Sequence, residues 1–206
     1  ARIMSLVTLD GDGFGQTGSI VEAIRYAVNQ GAGVINLSLA GYEFDPALDE
    51  MIQRANDAGV VVVAATGNTN ASIAGFDIDR RPVYPVCMDG KQNAVLGVGG
   101  TDTLDQKSPY ANYGQRCTDI SAPAQEFFAA RPSYARTTNG IVYEELSTST
   151  PGYLNGMTGT SLAAPLVSGV ASLIKSVRPD ATPAQIKSYI IYNSDRIEEN
   201  LTLAQR

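Results

Sequence analysis

The sequence predicts an α/β domain in which a parallel sheet carries helices on its faces. Short apolar runs alternate with amphipathic helical stretches through the first half of the chain, the order typical of βαβ units. One run, Val60 to Ala65, is rich in β-branched residues and suits a central strand covered on both sides. The chain has 206 residues, 44% of them hydrophobic, enough for one domain with its own core.

The N-terminal elements are predicted from their apolar spacing. A strand is expected from Ile3 to Leu9, followed by a glycine-rich turn. Ser19, with Glu22 three residues later, predicts the start of a helix that ends before Gly31. Val34 to Leu39 then reads as a buried strand.

The middle of the chain repeats this order. Asp45 and Pro46 predict a second helix, with aspartate as its cap and proline in its first turn, and Gly59 ends it. The Val60 to Ala65 strand follows directly. After a long loop, Ala94 to Val98 is expected to form another strand.

The C-terminal part is predicted to be irregular from Ala122 to Gly159, with a turn at Asn139 and Gly140. Ser161 to Val177 is apolar nearly all round and is expected to be a buried helix. A last amphipathic helix begins at Thr182.

Composition excludes several classes of function. The chain has 15 Lys and Arg against 21 Asp and Glu, a formal charge of −6, which argues against nucleic-acid binding. Its longest apolar run, Val60 to Ala65, is far shorter than the ~20 residues of a membrane span. There is no histidine, so no step can use an imidazole base from this chain.

Ser161 stands at the start of the apolar helix, within the segment Gly159–Pro165. A serine in that place is often only a helix cap. It also suits a nucleophile, because the helix dipole and unpaired N–H groups there favour a developing negative charge.

Two further segments stand at predicted strand ends, where parallel sheets bind ligands. Asn68 follows the valine-rich strand and is either a turn residue or a neutral hydrogen-bond donor for an oxyanion. The strand that begins at Val34 is followed by Ser38, Leu39 and Ala40. This segment is either an ordinary connection to the next loop or an open backbone edge to which an extended peptide could hydrogen-bond.

Gly13, Phe14 and Gly15 also follow a strand and form a plain turn or a binding segment. With Gly18 they fit the glycine spacing of a dinucleotide-binding loop, which keeps a nucleotide-binding domain as an alternative. No acidic residue stands at the ribose-binding distance, which argues against that alternative.

Together these segments resemble the subtilisin-like serine proteases, the subtilases. Gly159–Pro165 is similar to the nucleophile segment of that family, Val61–Asn68 to its oxyanion-hole strand, and Val34–Leu39 to a wall of its specificity pocket. The resemblance runs from Ala1 to about Ser194. It implies a three-layer subtilisin-like fold, incomplete at its N-terminal side.

The resemblance also implies roles. Ser161 would attack a peptide carbonyl, and Asn68 and the Ser161 amide would donate to the oxyanion. A peptide or protein substrate would lie against the following residues: Gly13, Phe14, Gly15, Ser38, Leu39, Ala40, Ala65, Thr66, Gly67 and Thr160. Many subtilases have glycine where this chain has Ala40, so the pocket is expected to be narrower.

The segments that carry the catalytic Asp and His of the family have no counterpart in this sequence. The chain is therefore expected to be the C-terminal part of a catalytic domain, inactive alone, with the N-terminal half as a candidate partner. The alternative is a peptide-binding pseudoenzyme or a processed fragment that retains the groove without turnover.

The remaining expectations concern cysteines and cofactors. Cys87 and Cys117 could be paired or free by count alone, and the usual extracellular setting of the family favours a secreted protein with a Cys87–Cys117 disulfide. No cofactor is needed for the chemistry, and no spacing identifies metal ligands. Structural calcium, frequent in the family, stays open.

Overall fold

The computed structural model describes residues 1–69, 74–88, 94–130 and 153–197. Its main sheet has four parallel strands that lie side by side in chain order. They are β1 (Val34–Leu37), β2 (Val61–Ala65), β3 (Val95–Thr101) and β4 (Ile120–Pro123). Because neighbouring strands run the same way, their carboxyl ends meet at one edge, where ligands of open α/β sheets bind.

Helices cover both faces of this sheet. On one face lie α1 (Thr17–Asn29) and α2 (Pro46–Asp57), and on the other lie α3 (Thr160–Val177) and α4 (Pro183–Tyr192). All five residues of β2 are buried. Val62 and Ala64 join the core beneath α1 and α2, whereas Val61, Val63 and Ala65 join the core beneath α3 and α4. The predicted three-layer α/β architecture is therefore confirmed.

Side-chain caps fix two of the helix starts. The Asp45 carboxylate accepts hydrogen bonds from the backbone N–H groups of Ala47 (2.8 Å) and Leu48 (3.3 Å), as its position predicts. Thr182 and Gln185 form a reciprocal capping box at the start of α4.

The predicted cap of the first helix is wrong. The helix α1 begins at Thr17, and Gln16 precedes it without a side-chain cap. Ser19 already lies inside the first turn, where its N–H donates to the Gln16 carbonyl at 3.0 Å.

The strand predicted from Ile3 to Leu9 is also wrong. Residues 1–8 have no regular secondary structure, and Ile3 and Val7 are 95% and 90% exposed. A strand needs a neighbour to bond its backbone groups. Within the described ranges no ladder pairs with this segment.

The helix α3 is buried on one face and open on the other, so the prediction of an all-round buried helix is wrong. Ala163, Ala164, Val167 and Ala171 lie in the core, and the helix contacts all four strands of the main sheet. Its outer face carries Leu166, Val170, Leu173 and Val177, which are 42 to 74% exposed. Apolar content alone does not tell how many faces are covered. By length and composition α3 would suit a membrane span, yet its contacts with the sheet are those of a core helix.

The region predicted to be irregular contains two antiparallel strands. They are β5 (Phe127–Ala130) and β6 (Tyr153–Met157), which pair with a local register shift. The predicted turn at Asn139 and Gly140 lies outside the described residues. The prediction missed these two strands because they are only four and five residues long, too short for a clear alternating pattern.

Candidate active site

Ser161 is the second residue of α3 and stands at the carboxyl edge of the sheet. The preceding Gly159 has φ +146°, a conformation that side-chain-bearing residues rarely adopt. Thr160 is fully buried, whereas Ser161 is partly exposed. The 18-residue helix therefore presents a hydroxyl at its positive end, where negative charge is stabilised.

The carboxamide of Asn68 lies beside this turn. Its Oδ1 accepts a hydrogen bond from the Thr160 N–H at 3.0 Å. A Cβ on Gly159 would lie 3.4 Å from Asn68 Nδ2 and 3.8 Å from the Ser161 nitrogen. The donor end of the amide thus faces the turn immediately before Ser161. The structure thus brings the turn that carries Ser161 next to Asn68, although the two bonded residues, Thr160 and Asn68, are 92 positions apart in the sequence.

The two predicted pocket walls face each other across the ends of β1 and β2. Leu37 pairs with Ala64, so Ser38 to Ala40 leave the sheet beside Ala65 to Gly67. Gly67 has φ +80°, and a Cβ there would lie 3.2 Å from the Ala40 methyl and 3.7 Å from Val83 Cγ1. The Ala40 methyl therefore occupies space directly against the Gly67 backbone.

Ser38 also forms a hydrogen bond with Ser161 itself. Its hydroxyl donates to the Ser161 carbonyl at 2.8 Å. The wall formed by Ser38, Leu39 and Ala40 is thus bonded to the first turn of α3.

Asn112 is a buried residue of this site that carries no prediction from the sequence. Its Nδ2 donates to the Thr66 carbonyl at 3.1 Å, and its Oδ1 accepts from the Phe76 N–H at 3.3 Å. Its backbone N–H donates to the Gly67 carbonyl at 3.1 Å. Asn112 therefore holds the two residues that precede Asn68. Its only sequence signal is a polar residue between apolar and aromatic neighbours, which is also common in exposed loops.

The segment from Gly13 to Gly15 is not joined to this cluster. The Phe14 carbonyl accepts from the Asp10 N–H at 2.7 Å, and the Phe14 N–H donates to the Asp10 carboxylate at 2.9 Å. Within the described residues no hydrogen bond connects the segment with Ser161 or Asn68. Its part in substrate binding stays a prediction.

Lys107 is half-buried in the loop that leads to Asn112. Burial lowers the pKa of its ammonium group from 10.5. The group donates to the carbonyls of Ser108 (2.9 Å), Ala111 (3.2 Å) and Pro109 (3.4 Å). It thereby braces the loop that leads to Asn112.

Cys87 and Cys117 form a disulfide in the structure, with their Cα atoms 5.0 Å apart. In the described part of the chain, no group of three or more His, Cys, Asp or Glu side chains could hold a metal ion. Structural calcium therefore stays a prediction without a candidate ligand set.

Comparison with known proteins gives one family. The model of the subtilase family, peptidase S8, matches residues 1–205. Thermitase of Thermoactinomyces vulgaris is 33% identical over 197 residues, which cover 96% of this chain and 59% of the relative. The extracellular serine proteinase of a Thermus species is 31% identical over 205 residues, 95% of this chain and 43% of the relative.

Solved structures give the same result. A cold-adapted subtilisin-like serine proteinase superposes with a TM-score of 0.71 at 26% identity, covering 92% of this chain and 59% of its own. The prenylagaramide maturation protease PagA superposes with a TM-score of 0.70 at 26% identity, covering 93% and 62%. The chain thus spans between 43 and 62% of the length of these relatives.

Proposed function

Because the chain belongs to the subtilase family, we propose that it is the part of a serine endopeptidase that carries the nucleophile, Ser161, and the oxyanion donor, Asn68. The observation that supports this most is the 3.0 Å hydrogen bond from the Thr160 N–H to Asn68 Oδ1. It fixes the carboxamide beside the nucleophile turn and leaves Nδ2, the donor atom, at the other end of the same amide.

The proposed reaction is acyl transfer. The Ser161 hydroxyl oxygen bonds to the peptide carbonyl carbon, and its proton passes to a general base. The carbonyl oxygen becomes an oxyanion that accepts hydrogen bonds from Asn68 Nδ2 and the Ser161 N–H. The C–N bond breaks as the amine takes up the proton, and water then hydrolyses the acyl ester. These steps use a hydroxyl, amide donors and a base, so we propose that the chemistry needs no cofactor.

The general base belongs to polypeptide outside this chain in our proposal, since the sequence contains no histidine. We infer that the N-terminal half of the same catalytic domain supplies the base and its acidic partner. The exposed apolar face of α3 supports this, because Leu173 and Val177 are 70% and 74% exposed on a helix that otherwise forms the core. The chain alone should hydrolyse peptides negligibly.

A peptide or protein is the proposed substrate, bound between the wall of Ser38 to Ala40 and that of Ala65 to Gly67. The Ala40 methyl, 3.2 Å from a Cβ position at Gly67, favours a small side chain next to the scissile bond. We expect no binding of nucleic acid or membranes. The disulfide and the extracellular serine proteinase among the relatives support secretion.

The test is labelling of the full-length protein with a fluorophosphonate probe, which phosphonylates an activated serine. The full-length protein should be labelled, and Ser161→Ala should abolish labelling. Equal labelling of both proteins would remove Ser161 from the mechanism.

The absence of histidine from this chain keeps one alternative, a peptide-binding protein without turnover. It predicts that the full-length protein binds peptides, resists the probe and shows no hydrolysis. Labelling together with turnover of a peptide would reject it.

A further inference from the structure

The carbonyl of Ser161 cannot form its ordinary helical hydrogen bond. In an α-helix this carbonyl would accept from the N–H four residues on, and that residue is Pro165, which lies inside α3 and has no N–H. The proline ring also presses against the carbonyl of the residue four positions earlier. The first turn of α3, where the nucleophile stands, therefore needs a donor from elsewhere.

A chain of side-chain hydrogen bonds supplies that donor. The Ser38 hydroxyl donates to the Ser161 carbonyl at 2.8 Å. Asn36 Nδ2 donates to the Ser38 oxygen at 2.8 Å. The Ser168 hydroxyl lies 3.0 Å from Asn36 Oδ1 and 3.0 Å from the carbonyl oxygen of Ala164, so its proton is available to both acceptors. Each group can donate in the same direction, from Ser168 to the Ser161 carbonyl. We call Ser168, Asn36 and Ser38 the hydroxyl–amide chain.

The hydroxyl–amide chain connects two residues of the same helix, because it begins at Ser168 and its last bond goes to the Ser161 carbonyl. Ser168 lies about two turns beyond Ser161, so both residues are on the side of α3 that faces β1. Asn36 is the polar and exposed residue of β1 (Val34–Leu37), whose other members are apolar. Ser168 is 9% exposed, and burying a hydroxyl is unfavourable unless it is bonded. The helix is thus bonded at two points, to Asn36 in β1 and to Ser38, the residue that follows β1.

Resting on the proposed function of Ser161, we propose that Asn36 and Ser168 are positioning residues for the nucleophile. They hold the Ser38 hydroxyl in the orientation that replaces the amide missing at Pro165. Neither residue touches the substrate. Their effect is to keep the first turn of α3 in register with the pocket wall, so that the nucleophile and the bound carbonyl stay aligned.

The first experiment measures the rate of fluorophosphonate labelling in the full-length protein, which needs no peptide in the groove. Ser168→Ala and Asn36→Ala should each slow labelling about fivefold, the factor expected for one neutral hydrogen bond. Ser168→Thr should restore most of the rate. The matched control is Ser172→Ala, whose hydroxyl donates to the Ser168 carbonyl at 2.9 Å, the same backward bond along the helix that Ser168 makes to Ala164. Equal rates for Ser168→Ala and Ser172→Ala would overturn the proposal.

The second experiment asks whether the chain and the proline compensate each other. Pro165→Ala returns an N–H to the helix at the position that serves the Ser161 carbonyl. Ser38→Ala should slow labelling about fivefold alone but less than twofold in the Pro165→Ala background. Additive effects would overturn the proposal.

The same cycle is measured as urea unfolding midpoints, which do not depend on activity. If the unmodified protein is not labelled, the proposed function fails, and coupling between Ser38→Ala and Pro165→Ala in the midpoints still supports the hydroxyl–amide chain. Additive midpoints would contradict it. The midpoints also identify any variant that is slow only because it is unfolded.

Discussion

The disulfide between Cys87 and Cys117 gives a stability prediction whose size follows from the structure. The two residues are separated by 30 positions, and the enclosed segment contains all of β3 and the buried Asn112. Closing a loop of that length lowers the entropy of the unfolded chain. In the chain-entropy relation this raises the free energy of unfolding by about 3.6 kcal/mol at 25 °C. That is a large share of the total stability of an ordinary domain, about 5–15 kcal/mol.

The variant is Cys87→Ala with Cys117→Ala, so that no lone thiol remains. In the full-length protein its free energy of unfolding in urea should fall by about 3 to 4 kcal/mol. The unmodified protein unfolded in the presence of a reductant is the control and should lose the same amount. A loss below about 1 kcal/mol would refute the reasoning, because it would mean that the crosslink restricts the unfolded chain hardly at all.

Three further predictions concern polar groups that are buried or partly buried. Asn112→Ala leaves the Thr66 carbonyl without the donor that Asn112 supplies. The variant should have a free energy of unfolding lower by about 2 kcal/mol and should be labelled more slowly by the fluorophosphonate. If both values are unchanged, Asn112 does not hold the residues before Asn68. Lys187 forms an ion pair with Asp119 at 2.8 Å, and the Asp119 side chain is only 16% exposed. Lys187→Met removes the countercharge and should lower the free energy of unfolding in urea by about 3 kcal/mol. A change under about 0.5 kcal/mol would contradict this. Burial lowers the pKa of Lys107, so the folded protein loses that proton at a lower pH than the unfolded chain does. The free energy of unfolding of the unmodified protein should therefore rise relative to that of Lys107→Met as the pH approaches 10.5. A difference between the two proteins that does not change with pH would contradict this.

The strongest sequence signals were those with a local physical cause. Asp45 and Thr182 cap their helices because a side-chain oxygen next to unpaired N–H groups acts within one turn. The run around Val62 and Val63 became a central strand because both of its faces are apolar and both are covered. These features need little information from distant parts of the chain.

The errors arose where partners at a distance decide the structure. Ile3 and Val7 have the composition of a strand, but a strand forms only where another pairs with it. The outer face of α3 is as apolar as its inner face, and the sequence does not tell which of them the sheet covers. No strand is predicted where β4 lies, because β4 is only four residues long and ends in proline, so its pattern is weak.

The candidate site divides in the same way. Ser161 and Asn68 are candidates from the sequence because they stand at a helix start and a strand end. Asn112 and Asn36 are not, because the role of each depends on contacts across the fold, to the Thr66 carbonyl and to Ser168 respectively. The sequence around a single asparagine does not indicate which distant loop or helix its side chain will hydrogen-bond.

The most direct test of the account is the turnover of a peptide substrate by the full-length protein with Asn68→Asp. Aspartate keeps the oxygen that accepts from the Thr160 N–H but replaces the Nδ2 donor with a second oxygen. We predict that kcat falls by about 10²–10³-fold or more, the cost of losing one oxyanion donor, while the urea unfolding midpoint hardly changes. An unchanged kcat would contradict the assignment of Asn68, and with it the active site built around Ser161.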